Sequence, residues 1–310
     1  MWDKVKQAKE AHQAKLRALP NVVGLGIGYK EAGGLKTQTP AVIVFVKNKL
    51  PKESLTAEAL VPAMLITADA QGVATDVLEV HDLTKLTANQ QKQRPVVGGV
   101  SISPGNFLLA GTGGLVVERG GVPMLLSNNH VLRLSFLANP GERPQKGTYV
   151  RQPAFLDDGE DNIGSLEDWV EMLFPGPNTV DAAIAKLTVP WSPAVLGLGP
   201  PSGIDDPQIG QGFQKSGRTT GVTADSVAAL EADLQINYSS DPAQPIIAEF
   251  TGLVVSQGPV MQAGDSGSVW VAGGKVVALG FAGSDIVSVA IPIKTVFQAL
   301  SLNLPTSPAN

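Results

Sequence analysis

Gln262-Ala263-Gly264-Asp265-Ser266-Gly267-Ser268-Val269-Trp270 sets one serine between two glycines, directly after an aspartate. Glycines on both sides permit the sharp turn needed to expose the Ser266 hydroxyl. The same turn aims the N–H groups of Gly264 and Ser266 at one point, an oxyanion hole able to hold the charge of a tetrahedral acyl intermediate. Short Gly/Asp/Ser runs are also ordinary turn composition, so the motif by itself leaves a plain turn open. Its partners decide between the two.

The chain of 310 residues has three histidines and no cysteine, which excludes a disulfide framework, a thiolate metal site and a thiol nucleophile. His12 and His81 have no motif around them. His130 ends an apolar run in LLSNNHVL, and Asp181 opens one in NTVDAAIAKL. Taken singly, His130 reads as a structural histidine and Asp181 as a cap or turn residue. Taken with Ser266 they form the series His, Asp, Ser, and that joint coincidence is much rarer than its parts.

The surrounding texture is strand-rich. After Pro95, short apolar runs such as VVGGVSI, FLLAGTGGLVVE and PMLLSNNHVL are separated by Gly, Pro, Asn and Asp. Further runs lie near 180–187, 209–223, 226–238, 246–256, 267–272 and 275–290. Strands at this spacing predict one or two β-barrels, with a helix over 292–300 closing the chain. His130 and Asp181 fall in the first half of this region and Ser266 in the second, and two barrels meeting at a cleft would place them that way. Upstream, an amphipathic helix is predicted over 2–19, strands over 21–30 and 41–49, a short helix over 54–60, and two extended segments around Gly72. Gly24, Gly26 and Gly28 lie inside a strand pattern and are followed by a turn, so they read as packing glycines rather than a dinucleotide loop. The expected organisation is a small α+β domain over 1–81, a polar linker over 82–95 and a β domain over 96–303.

Four segments, LLSNNHVL, NTVDAAIA, QKSGRTTGVT and MQAGDSGSVW, carry a resemblance to the chymotrypsin-like serine peptidases. The chain resembles their bacterial, cysteine-free, trypsin-like group. Within it, Gln214–Thr223 is similar to a strand of streptogrisin-type enzymes. The small N-terminal unit looks like that of relatives of the plant narrow-leaf type. The order His, Asp, Ser belongs to the chymotrypsin arrangement and not to subtilisins or α/β-hydrolases. The resemblance implies a mainly β fold, a double β-barrel behind a small α+β domain, acting as a serine endopeptidase. Ser266 would be the nucleophile, His130 the general base and acid, and Asp181 its orienting carboxylate, with Gly264 and Ser266 as oxyanion donors. Two departures, Ser268 for a second glycine and Asn128-Asn129 before the histidine, leave the three catalytic positions intact.

The resemblance places Val260, six residues before the serine, at the base of the substrate pocket, with Met261 beside it and Phe281, Ala282 and Gly283 on the far wall. Those residues offer no counter-charge, and burying an unpaired charge is costly, so a small or medium apolar side chain is expected before the cut. The mechanism needs no cofactor or metal. Asp157–Asn162 is acidic but does not match an EF-hand loop and reads as solvated. A net charge of −5 without a basic run gives no general attraction to nucleic acid or anionic membrane. The expected partner is a protein or peptide substrate, and Met1 leads into a charged segment rather than an apolar one, for which the cytoplasm is the simplest location. Two alternatives use the same residues: a peptide-binding protein without activity, and an esterase.

Overall fold

The computed structural model describes residues 2–32, 35–56, 58–67, 71–80, 88–239, 241 and 243–305, and divides into the units Met1–Lys85 and Leu86–Asn310. In the first unit, helix α1 (Trp2–Arg17) is followed by strands β1 (Val22–Ala32), β2 (Leu35–Val46), β3 (Met64–Ile66) and β4 (Gly72–Glu79). They form one sheet in the order β1-β2-β4-β3, with β2 and β4 parallel. Val5, Ala8 and Leu16, spaced along one helix stripe, cluster with Val42, Val44 and Val46 of β2 and with Leu65 and Val73. The Phe45 ring lies 2.9 Å from where a Cβ of Gly26 would stand, so close strand packing accounts for that glycine.

The helix expected over 54–60 does not form. A 3-10 turn covers only Lys52–Ser54, and Leu55 returns to extended backbone. Leu55, Ala59, Leu60 and Val61 instead line a cavity with Val46 and Val77.

The second unit contains strands β5 (Val96–Gly98), β6 (Val100–Pro104), β7 (Gly111–Gly113), β8 (Leu115–Arg119) and β9 (Val122–Ser127), then helix α2 (Asn129–Leu132). Next come β10 (Tyr149–Arg151), β11 (Asn162–Trp169), β12 (Pro177–Asn178), β13 (Ala183–Leu187), β14 (Trp191–Val195) and β15 (Gly203–Ile204). The rest are β16 (Gly212–Gly217), β17 (Gly221–Asn237), β18 (Ile247–Ser256), β19 (Val269–Ala272), β20 (Lys275–Gly283), β21 (Ser288–Pro292) and helix α3 (Ile293–Leu300).

Two closed barrels emerge from the strand ladders. In the first, β6, β10, β11, β13 and β9 pair in that order and β9 pairs with β8. Gly114 joins β8 to β7, which pairs back onto β6 and completes the circuit. In the second, β16, β17, β18, β21, β20 and β19 pair successively and β19 returns to β16. This is the mainly β double-barrel architecture, preceded in the chain by a small α+β unit, that the sequence predicts.

The near-continuous apolar runs have a physical cause. Val116 and Leu125 point into the first barrel with Ile102, Val150 and Ile163, whereas their neighbours Leu115, Val117 and Leu126 point outward. The outward set joins Leu253, Leu279, Phe281 and Ile291 of the second barrel in a shared core, closed by Ile293, Val296, Phe297 and Leu300 of α3. Trp270, Phe213, Val254 and Ala278 fill the second barrel. Strands buried on both faces lose the polar alternation of a half-exposed sheet.

Of the segment read as a linker, 82–87 lie outside the described residues. Asn89 is buried and donates to the Gly99 carbonyl and to Ser216, while Gln93 and Arg94 hydrogen-bond Gln152. Residues 89–94 are therefore tied to the barrel unit.

Candidate active site

His130 sits on α2, a single helical turn just past β9. Two asparagines hold that turn: Asn128 Nδ2 donates to the Asp181 carbonyl at 2.7 Å and Asn129 Nδ2 to the Val170 carbonyl at 2.6 Å. Asp181, two residues before β13, is fully buried. Its carboxylate accepts the His130 Nδ1–H at 2.5 Å, the His130 backbone N–H at 3.1 Å and the Tyr238 hydroxyl at 2.8 Å. With Nδ1 committed to the carboxylate, the second ring nitrogen is left for the cleft.

Ser266 lies on the loop before β19. Asp265 shapes this loop from inside: its buried carboxylate accepts the N–H groups of Gln262, Thr219 and Thr220 at 2.9, 2.8 and 3.1 Å and the Thr220 hydroxyl at 2.6 Å. Lys215, also fully buried, places its ammonium 3.4 Å from Asp265 and donates to the Gly221 carbonyl and to Thr220. Burial lowers the Lys215 pKa, and the Asp265 charge works against that shift. Gly264 is left-handed at φ +96°, and among the described residues neither its N–H nor that of Ser266 has a protein acceptor. Two donors therefore stand unused beside the Ser266 hydroxyl. That hydroxyl donates to the Phe281 carbonyl at 3.3 Å.

Thr112 of β7 couples the barrels at this point. Its N–H donates to the Ser266 carbonyl at 2.8 Å and its hydroxyl to the Gly264 carbonyl at 2.9 Å. A Cβ on Gly114 would stand 1.9 Å from the Gly267 carbonyl oxygen, and a Cβ on Gly267 2.0 Å from the Thr112 carbonyl oxygen. Only glycine permits this approach.

Two adjoining hollows share Ala282, Gly283 and Ser284. One, of about 750 Å³, is lined by Ser266, Val260, Met261, Ala282 and Gly283 and also by Thr220, Thr223 and Asp285. The other, of about 500 Å³, is lined by His130, Tyr238, Phe281 and Gln235. Val260 and Met261 are buried, and both donate backbone N–H groups to the Ser288 hydroxyl at 3.0 Å. Asp285, on the exposed turn at the rim, is a charge that the expected pocket did not include.

Asp157 belongs to the acidic loop expected to be solvated, yet its side chain is only 8% exposed. It accepts the Arg218 guanidinium in two-pronged fashion, at 2.8 and 2.5 Å, and the Ser101 hydroxyl at 2.5 Å. Among the described residues no group of three or more His, Asp or Glu side chains is placed to hold a metal ion.

Sequence reasoning missed Lys215, Tyr238 and Thr112. Lys215 carried a usable signal, a charge two residues after Phe213 on the inward face of a strand. Tyr238 and Thr112 carried none.

Residues 7–78 match the family profile of the NARROW LEAF 1 N-terminal domain. No curated protein matches the chain. Among solved structures, Thermobifida fusca Protease A is 19% identical, with a TM-score of 0.49 over 68% of this chain and 99% of that one. Nocardiopsis Protease is 18% identical over the same shares, also at 0.49. A glutamic acid specific serine protease, described as using a novel histidine triad in substrate binding, is 20% identical at 0.49, over 67% of this chain and 100% of that one.

Proposed function

We propose that the chain is a serine endopeptidase that hydrolyses peptide bonds through an acyl-enzyme. The observation that carries the reading is that Ser266 and His130 line two adjoining hollows, which share Ala282, Gly283 and Ser284. An oriented His130–Asp181 pair comes from the first barrel, Ser266 from the second, and two N–H donors stand beside the serine. For attack, the Ser266 hydroxyl leaves the Phe281 carbonyl and gives its proton to the free ring nitrogen of His130. The imidazolium so formed is stabilised by Asp181 and returns the proton to the leaving amine. The Gly264 and Ser266 N–H groups hold the oxyanion, each donor being worth about 3–4 kcal/mol at the transition state.

Buried Val260 and Met261 support a preference for a small or medium apolar side chain before the cut. Asp285 at the rim favours one rival, a lysine or arginine whose stem lies on the apolar wall and whose charge reaches the rim. Cleavage-site profiling of a peptide library separates the two. Apolar residues before the cut, unchanged in Asp285→Asn, support the first. Basic residues that disappear in Asp285→Asn establish the second.

A further inference from the structure

We infer that Tyr238 is a positioning residue for the His130–Asp181 pair, its phenol fixing the carboxylate from the second barrel; this rests on the peptidase reading of the site. Asp181 Oδ2 receives two donors, His130 Nδ1 at 2.5 Å and the Tyr238 hydroxyl at 2.8 Å. No other side-chain hydroxyl donates to this carboxylate among the described residues. His130 also donates its backbone N–H to Oδ1 at 3.1 Å, so without Tyr238 the carboxylate side chain would rest on His130 alone, and a buried carboxylate carries a large desolvation cost for each donor it lacks.

Tyr238 is well placed to supply that donor. It follows β17, and its N–H donates to the Ile246 carbonyl across the hairpin at 2.9 Å. Its ring meets His130 edge-on at 5.5 Å, stacks on Phe136 at 6.3 Å and stands perpendicular to Phe174 at 5.6 Å. Phe136 and Phe174 belong to loops of the first-barrel half, so the phenol direction is set by both halves. Burial first, and then the Asp181 charge, push the phenol pKa well above 10. The hydroxyl therefore stays a donor over the working pH range and is no proton shuttle. By drawing on the Oδ2 charge it holds the carboxylate in the plane that Nδ1–H requires, which keeps the other ring nitrogen unprotonated toward the cleft.

Asp181 and Tyr238 are the titratable groups in hydrogen-bond or ring contact with His130. The hollow on its open side is lined by uncharged residues, among them Gln235, Asn237 and Phe281. Arg133, just past α2, carries its guanidinium over the Trp169 ring.

Tyr238→Phe in the full chain keeps the ring and removes only the donor, whereas Tyr238→Leu removes both. For Tyr238→Phe, the rate of Ser266 modification by a fluorophosphonate is expected to fall about 10-fold, as for a lost hydrogen bond to a charged group. Its acid limb moves to higher pH, because the less neutralised Asp181 stabilises the imidazolium more. The low-field proton resonance of His130 Nδ1–H moves further downfield. Replacing the three tyrosines with 3-fluorotyrosine strengthens the donor and shifts both readouts the opposite way, which tests the inference even where Tyr238→Phe does not fold. A Tyr238→Phe protein with wild-type rate, pH profile and resonance, beside a crippled Tyr238→Leu, would reduce the residue to ring packing and overturn the inference. If wild type is never modified by the probe, the peptidase reading fails on its own. The Nδ1–H resonance still decides Tyr238: a shift between wild type and Tyr238→Phe upholds the hydrogen-bond role, and no shift overturns it.

Discussion

Lys215 is a lysine with no exposed surface, held by one carboxylate, one carbonyl and one hydroxyl beneath the Ser266 loop. Removing its charge leaves Asp265 buried with neutral donors only. Lys215→Met is expected to cost about 3–5 kcal/mol, as does breaking a buried ion pair from one side. Thermal unfolding measures that loss. Because burial lowers the Lys215 pKa, its deprotonation comes at lower pH than for an ordinary lysine. The counter-ion to Asp265 is then lost on the alkaline side, and the proposed activity is expected to fall there. Arginine keeps its charge, so Lys215→Arg is expected to extend the alkaline limb of the pH–rate profile to higher pH. Ser266, His130 and Asp181 stand out in the sequence because glycine punctuation and apolar flanks mark them locally. Tyr238 and Thr112 act on partners 57 and 152 residues away, and a single sequence contains no trace of that juxtaposition.

The junction between the barrels is an element-scale device, the bend at Gly114 lying against the turn at Gly267. Gly114→Ala drives a methyl group into the Gly267 carbonyl. It is expected to cost about 1–3 kcal/mol or more as overpacking and to displace the serine loop, reducing fluorophosphonate modification together with the melting temperature. The Arg218–Asp157 pair works at the same scale. It ties the acidic loop of the first barrel to the turn whose Thr219 and Thr220 N–H groups hold Asp265. Lysine cannot reproduce the two-pronged contact, so Arg218→Lys is expected to lower kcat by about tenfold with KM little changed, read by steady-state kinetics. Strands buried on both faces announced themselves as apolar runs, among them β9, β13 and β20. Strands β10 and β11 did not. Tyr149–Arg151 is three residues long, and Asn162–Trp169 is polar and broken by a register shift between Leu166 and Asp168. The expected helix over 54–60 failed for a related reason, since its apolar residues serve a loop wall rather than a helix face.

At the scale of the molecule, each unit has its own core. The cluster under α1 draws only on residues of the first unit, and the three barrel clusters draw only on residues from Val96 onward. Residues 86–310 expressed alone are therefore expected to unfold in one cooperative transition. Coincident far-UV and tryptophan transitions check this, and a non-cooperative melt would contradict it. The double barrel was legible from strand spacing together with the distribution of His130, Asp181 and Ser266 between its halves. The central claim is that Ser266 is an activated nucleophile, and the most direct measurement is fluorophosphonate modification of wild type and Ser266→Ala. The account predicts one modified residue, Ser266, in wild type and none in the variant. Unmodified wild-type protein with its fold intact, or equal modification of both, would contradict it.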